Sequence, residues 1–152
     1  PEPQAVFSKA KVLPGIDGRK MSKSYGNTIP FGAGPEEMWE RIRMMTTDPQ
    51  RIKKTDPGHP EVCIVYAFHK VFNPEEYEEI GARCSAGEIG CVECKKRLAE
   101  KMNALLADIH TKREELSKKP EYIKEVLDYG AQRARKEAEK TMAEVKTAMN
   151  VL

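Results

Sequence analysis

Two groups of residues in this sequence could do chemistry. The first is Lys20-Met21-Ser22-Lys23-Ser24. Two ammonium groups and two hydroxyls within five residues suit a polyphosphate, because Lys is a compact cation on a flexible stem that can follow a moving charge. The run from Leu13 to Pro30 around it holds three glycines and two prolines, which predicts a loop rather than a helix or strand. Glycines on both sides let such a loop close and bring backbone N–H groups up to phosphate oxygens. A solvated surface loop would use the same residue types, so composition alone does not separate the two readings.

The second group is Cys63, Cys84, Cys91 and Cys94, separated by twenty, six and two residues. No secretory signal accompanies them, which argues against a disulfide framework. Cysteine also packs as a small hydrophobe, so four buried free thiols are one reading. The other is a metal site. Gly90 followed by Cys91-Val92-Glu93-Cys94 at the start of a predicted helix places two thiolates where N–H groups and the helix dipole favour negative charge. Four cysteines serve tetrahedral zinc or an iron–sulfur cluster. Only one pair is tight enough for a zinc knuckle, and the wide, uneven spacing suits the larger cluster better.

These groups need elements to hold them. Pro35-Glu36-Glu37 starts a helix, with Pro at the first position and acids at the positive end of the dipole. Met38, Ile42 and Met45 form its apolar face. Pro60-Glu61 opens a second helix with Val62, Val65, Tyr66, His69 and Phe72 on one side, and His69 there reads as a core histidine. A third helix is expected from Asn73-Pro74, with Asn as cap, to about Cys84. A fourth runs from Cys91 with Leu98, Met102, Leu105 and Ile109 inward. A fifth follows Lys118-Lys119-Pro120, its stripe of Leu127, Ala131, Ala134, Ala138, Met142, Val145 and Met149 predicting a helix–helix seam. The pattern predicts an all-α fold, an antiparallel bundle of about five helices preceded by an irregular segment.

With 152 residues, 33% of them charged and a net charge of +2, the chain is one ordinary domain, or a small domain with a further piece. The charge is too small to argue for nucleic-acid binding by itself, so any RNA contact must come from local patches. Two are candidates: Arg51, Lys53 and Lys54 in a proline-rich loop, and Lys95, Lys96 and Arg97 behind the last cysteine. No apolar run approaches the roughly 18 residues of a membrane helix.

The order Lys20-Met21-Ser22-Lys23-Ser24 resembles the signature loop of the class I aminoacyl-tRNA synthetases letter for letter. Its flanks Asp17-Gly18-Arg19 and Gly26-Asn27-Thr28-Ile29 look like the tryptophan and tyrosine branch of that family. Thr47-Asp48-Pro49, the run from Gly90 to Glu100 and Gly130-Ala131-Gln132-Arg133-Ala134-Arg135 are similar to the tryptophanyl-tRNA synthetases. The four cysteines resemble a subset of these with a [4Fe–4S] cluster in the anticodon-binding domain, apart from a slightly shorter first gap.

The resemblance implies that Lys20 and Lys23 are catalytic and that Lys20, Met21, Ser22, Lys23 and Ser24 bind ATP. They would stabilise charge on leaving pyrophosphate as an aminoacyl-adenylate forms. It implies Cys63, Cys84, Cys91 and Cys94 as cluster ligands, with Zn2+ as the alternative. It also implies ATP and Mg2+ as cofactors, tryptophan and tRNA(Trp) as substrate and partner, a homodimer and a cytoplasmic location. The family's second signature, His-x-Gly-His, is absent: the histidines are His59, His69 and His110, and none lies in such a run. Residues 1–31 are therefore expected to be the tail of the nucleotide-binding catalytic domain and residues 32–152 the helical anticodon-binding domain. The chain is expected to be the C-terminal part of a longer enzyme and inactive alone. A free-standing helical metal- or RNA-binding module, and the same region of a tyrosyl-tRNA synthetase, are the alternatives.

Overall fold

A computed structural model describes residues 2–6 and 12–151. Among them stand five α-helices and no strand, the all-α class expected: α1 Pro35–Arg43, α2 Ile64–Phe72, α3 Tyr77–Ser85, α4 Cys91–Ser117 and α5 Pro120–Ala148. Two single 3-10 turns, Lys23–Tyr25 and Pro60–Val62, complete the regular structure. The chain forms two compact units, residues 1–110 and 111–152.

In the first unit, α1 begins as its sequence demands, with Pro35 at the first position, Glu36 and Glu37 in the first turn and Arg41 and Arg43 in the last. Met38 and Ile42 are buried, and Met45 is buried just beyond the helix end. They share one core with Val65 and Phe68 of α2, Ile80 of α3, and Leu98, Met102 and Leu106 of α4. Ile16 and Ile29, on either side of the lysine-rich loop, join the same core. Each such apolar side chain contributes about 1.5–3 kcal/mol on full burial. The loop therefore stands on packed ground.

Three elements differ from expectation. The second helix does not start at Pro60: a 3-10 turn comes first, and Cys63 is the residue that caps α2. Val62 is consequently 56% exposed. The third helix does not start at Asn73. Asn73 ends α2, its side chain turned to His69 and Glu76, and α3 begins only at Tyr77. On α4 Cys94, Leu98, Met102 and Leu106, spaced by four, are buried together with Ala99, whereas Leu105 and Ile109 are exposed.

The second unit holds the end of α4 and α5. No residue of α5 is buried. The seam expected from its apolar stripe is not formed among the described residues: Leu127 and Met149 are each 67% exposed. The helix is held by its own backbone and by local pairs such as Lys124–Asp128 at 2.7 Å.

Candidate functional site

The loop that carries Lys20 and Lys23 is built around one buried amide. Asn27 is 2% exposed. Its Nδ2 donates to Asp17 Oδ1 at 2.8 Å and to the Lys20 carbonyl at 3.1 Å, and its Oδ1 accepts from Ser22 N–H at 2.8 Å. Three of its four hydrogen-bonding positions are thus spent on the loop. The backbone closes beneath it. Pro14 and Lys20 pair in a single bridge, and Gly15 N–H donates to the Arg19 carbonyl at 2.7 Å. Only glycine fits at position 15, where a Cβ would fall 2.3 Å from Asn27 Nδ2. The Asn27 amide, against the opposing effect of burial and with help from Arg19, holds the Asp17 carboxyl below its usual range. Asp17 also ion-pairs with Arg19 at 2.7 Å, and the Arg19 guanidinium lies 4.5 Å from the centre of the Tyr25 ring.

The side chains above this base divide in two. Met21 packs against the core. Ser22 and Ser24 join hydroxyls at 2.8 Å across the 3-10 turn. Lys20 and Lys23 are exposed, and neither ammonium has a hydrogen-bond or ion-pair partner among the described residues. A fixed backbone carrying two unspent cations can receive an anion without first breaking its own bonds. Sequence reasoning named the five loop residues but missed Asn27. A lone Asn in a polar loop gives no sign of burial, and the only signal was its place in the flank Gly26-Asn27-Thr28-Ile29.

The cysteines occupy one end of the helical core. Cys63 caps α2, Cys84 sits in the last turn of α3, and Cys91 and Cys94 open α4. All four are free thiols. Burial pushes the Cys94 thiol up to about 12, and the neighbouring Cys63, Cys84 and Cys91 sulfurs push the same way. Burial also raises Cys84; Arg51 opposes this, and Cys63 and Cys91 add to it. Cys94 lies in the helical core, and Cys63 and Cys84 pack against it. Among the described residues, however, no three His, Cys, Asp or Glu side chains are gathered to hold a metal ion.

The shell around the sulfurs is specific. Arg51 Nη1 donates to Cys84 Sγ at 3.5 Å, and its Nη2 donates to the Lys54 carbonyl. Arg51 Nε is buried without a hydrogen-bond partner among the described residues. Gly58 N–H donates to the Cys84 carbonyl at 3.0 Å, and a Cβ at Gly58 would lie 2.5 Å from Cys84 Sγ. His69 is fully buried, its Nε2 3.1 Å from the Cys94 carbonyl and 3.5 Å from Cys94 Sγ. Burial lowers its pKa, so it is the core histidine expected from its place on the apolar side of α2.

The two basic patches do not behave as two patches. Arg51, Lys53, Lys54 and Lys96 line one groove of about 500 Å³ beside Cys91 and Glu93. Lys95 turns inward, donating to the carbonyls of Arg43 and Met45 at 2.7 Å each, which satisfies the open end of α1. Arg97 pairs with Glu93 at 3.4 Å.

The basic loop itself is tied by Asp48, which entered the sequence reading only within the run Thr47-Asp48-Pro49. Asp48 is 5% exposed. Its carboxylate accepts from Gln50 N–H and His59 N–H at 2.9 Å each, and His59 Nδ1 lies 2.8 Å away. Burial pushes the carboxyl up, but these contacts outweigh it and hold the pKa below the ordinary value. A lowered pKa gives stability that is present above the ordinary 3.8 and is lost as pH falls through the folded value. The 48–59 loop is expected to open in acid below that point, read as rising amide exchange at Gln50 and His59. In Asp48→Asn, exchange at these amides should already be high at neutral pH and show no acid step.

Comparison with known proteins places these features. The family model for class I tRNA synthetases (W and Y) matches residues 1–107. The tryptophan–tRNA ligase of Aquifex aeolicus is 45% identical over 153 residues, covering 99% of this chain and 39% of that protein. That of Thermotoga maritima is 43% identical, covering 100% of this chain and 47% of that protein. The crystal structure of the Campylobacter jejuni tryptophanyl-tRNA synthetase matches 92% of this chain and 45% of its own with a TM-score of 0.80 at 34% identity. The same enzyme has been solved in complex with ADP and tryptophan. The chain thus spans less than half the length of the relatives it matches. Its loop, its helical core and its match over most of its length agree: the chain belongs to the class I tRNA synthetases of the tryptophan and tyrosine branch.

Proposed function

We propose that this chain is the C-terminal part of a tryptophan–tRNA ligase, a cytoplasmic enzyme that activates tryptophan with ATP and Mg2+ and transfers it to tRNA(Trp). In this reading residues 1–31 end the nucleotide-binding domain, residues 32–152 form the anticodon-binding domain, and the full-length enzyme is a homodimer. The observation that carries the reading is the loop: a backbone locked by Asn27 with Lys20 and Lys23 held out and unspent. Those ammonium groups would meet the phosphates of ATP and the charge that develops on leaving pyrophosphate, with Met21, Ser22 and Ser24 completing the ATP contact. Preorganised donors aimed at developing charge usually contribute more to such catalysis than any other single effect.

The cysteine end fits a [4Fe–4S] cluster on Cys63, Cys84, Cys91 and Cys94. A single zinc needs four sulfurs packed about one ion at roughly 2.3 Å, and the thiols are not gathered that closely. A cluster of several irons spreads its ligands wider, and Cys94 lies in the core that Cys63 and Cys84 pack against. Arg51, whose guanidinium donates to Cys84 Sγ, suits an anionic group there. When bound, the cluster would pin α2, α3 and α4 together at one end.

The groove beside Cys91 supports tRNA contact. Four cations from two separate segments face one space, and the phosphate backbone is the chemistry that rewards such a groove. Charge reversal at Lys53, Lys54 and Lys96 should weaken binding of a tRNA(Trp) transcript and flatten its salt dependence by about one unit of slope for each lost phosphate contact. Unchanged affinity and slope at two salt concentrations would remove the groove from the RNA site.

A further inference from the structure

A line of hydrogen bonds runs from the surface to the cysteine end of the core. Lys101 Nζ lies 3.0 Å from Glu76 Oε1 and 3.5 Å from Glu75 Oε2. Glu76 Oε2 accepts from Asn73 Nδ2 at 3.2 Å. Asn73 is 1% exposed, and the same Nδ2 lies 3.3 Å from His69 Nδ1. His69 Nε2 ends the line at the carbonyl and sulfur of Cys94, 3.1 and 3.5 Å away.

The chemistry of each group fixes the next. A carboxylate paired with lysine only accepts hydrogen bonds, so the Asn73 amide must present its nitrogen to Glu76. The alternative orientation would set the amide oxygen against the carboxylate. The second N–H of that nitrogen then points to His69 Nδ1, which must accept. A neutral imidazole with Nδ1 accepting carries its proton on Nε2. In this orientation Asn73 Oδ1 is buried with no hydrogen-bond partner among the described residues.

We propose that Lys101, Glu76 and Asn73 form a relay that holds His69 in its Nε2–H tautomer and aims that donor at Cys94, making His69 a positioning residue for the iron–sulfur cluster. The sulfur half of the proposal rests on the four-cysteine reading above; the tautomer half does not. Hydrogen bonds to ligand sulfurs raise a cluster's reduction potential, and outer partners of a ligand govern how firmly the metal is held. His69 would act on both through one N–H.

The test uses the whole chain. In anaerobically purified protein, His69→Leu should shift the cluster potential to more negative values and speed iron loss to a chelator several-fold. His69→Gln, which keeps an N–H at the same reach, should stay close to the parent in both. Equal potentials in all three proteins, or equal losses in both variants, would overturn the donor role. Nitrogen-15 spectra of the unsubstituted iron-free chain report the tautomer directly: a protonated Nε2 is expected, and a protonated Nδ1 overturns the relay even if the variants fail to fold. Absence of iron from the unsubstituted protein would instead defeat the cluster reading and leave the tautomer result standing.

Discussion

Replacing Lys20 or Lys23 with alanine should lower adenylate formation by about 10²–10³-fold, roughly 3–4 kcal/mol, in a polypeptide that joins this chain to a class I nucleotide-binding domain. The expectation follows from how the loop is made. Both side chains are exposed, while the backbone under them is held by Asn27, Gly15 and the Pro14–Lys20 bridge. Truncation at either lysine therefore removes a cation and leaves the loop standing. ATP binding in the ground state should change far less than the rate, because the contact is made chiefly as pyrophosphate leaves. Steady-state pyrophosphate exchange separates the two quantities. Equal losses in ATP affinity and rate would mean that the lysines bind ATP uniformly and do not favour the transition state.

The second large effect concerns iron. Anaerobically purified protein should be brown and carry about four irons per chain, the content of one cluster held by four thiolates. Serine at Cys91 or Cys94 should abolish iron retention. Cys91 and Cys94 both lie at the start of α4, directly after the turn between residues 84 and 91, so loss of the cluster should also loosen that turn. Amide exchange in that turn should rise on iron removal, since ligation in a small domain contributes to folding. One zinc and no iron on elemental analysis would contradict the cluster. No metal at all would return the four thiols to the role of core residues.

The places of the loop and of the last two cysteines in the fold were legible because each is a short, ordered signal: five residues between glycines, and a Cys-x-x-Cys at a helix start. The positions of Cys84, Cys91 and Cys94 at helix ends were legible for the same reason. What the sequence hid is mostly a matter of direction. Lys95, Lys96 and Arg97 look like one basic patch, yet successive helical residues point about 100° apart. One satisfies the end of α1, one lines the groove and one pairs with Glu93. Leu105 and Leu106 differ by the same rotation, and a spacing of four rather than three decided which is buried. Asn27, Asp48 and Asn73 are polar residues in loops or at helix ends, where exposure is the ordinary expectation. Each is buried because its side chain ties backbone or ring groups from several positions, a property of the fold that no local pattern announces. The apolar stripe of α5 was equally plain in sequence, but periodicity tells which residues share a face and not what covers it.

The measurement that bears most directly on the proposed activity is amino-acid-dependent pyrophosphate exchange by a polypeptide that joins this chain to a class I nucleotide-binding domain, run with tryptophan, with tyrosine and with neither. Exchange that requires tryptophan, and that falls about 10²–10³-fold in Lys23→Ala, is the result expected. Exchange supported by tyrosine instead, or tryptophan-dependent exchange at full rate in Lys23→Ala, would contradict it.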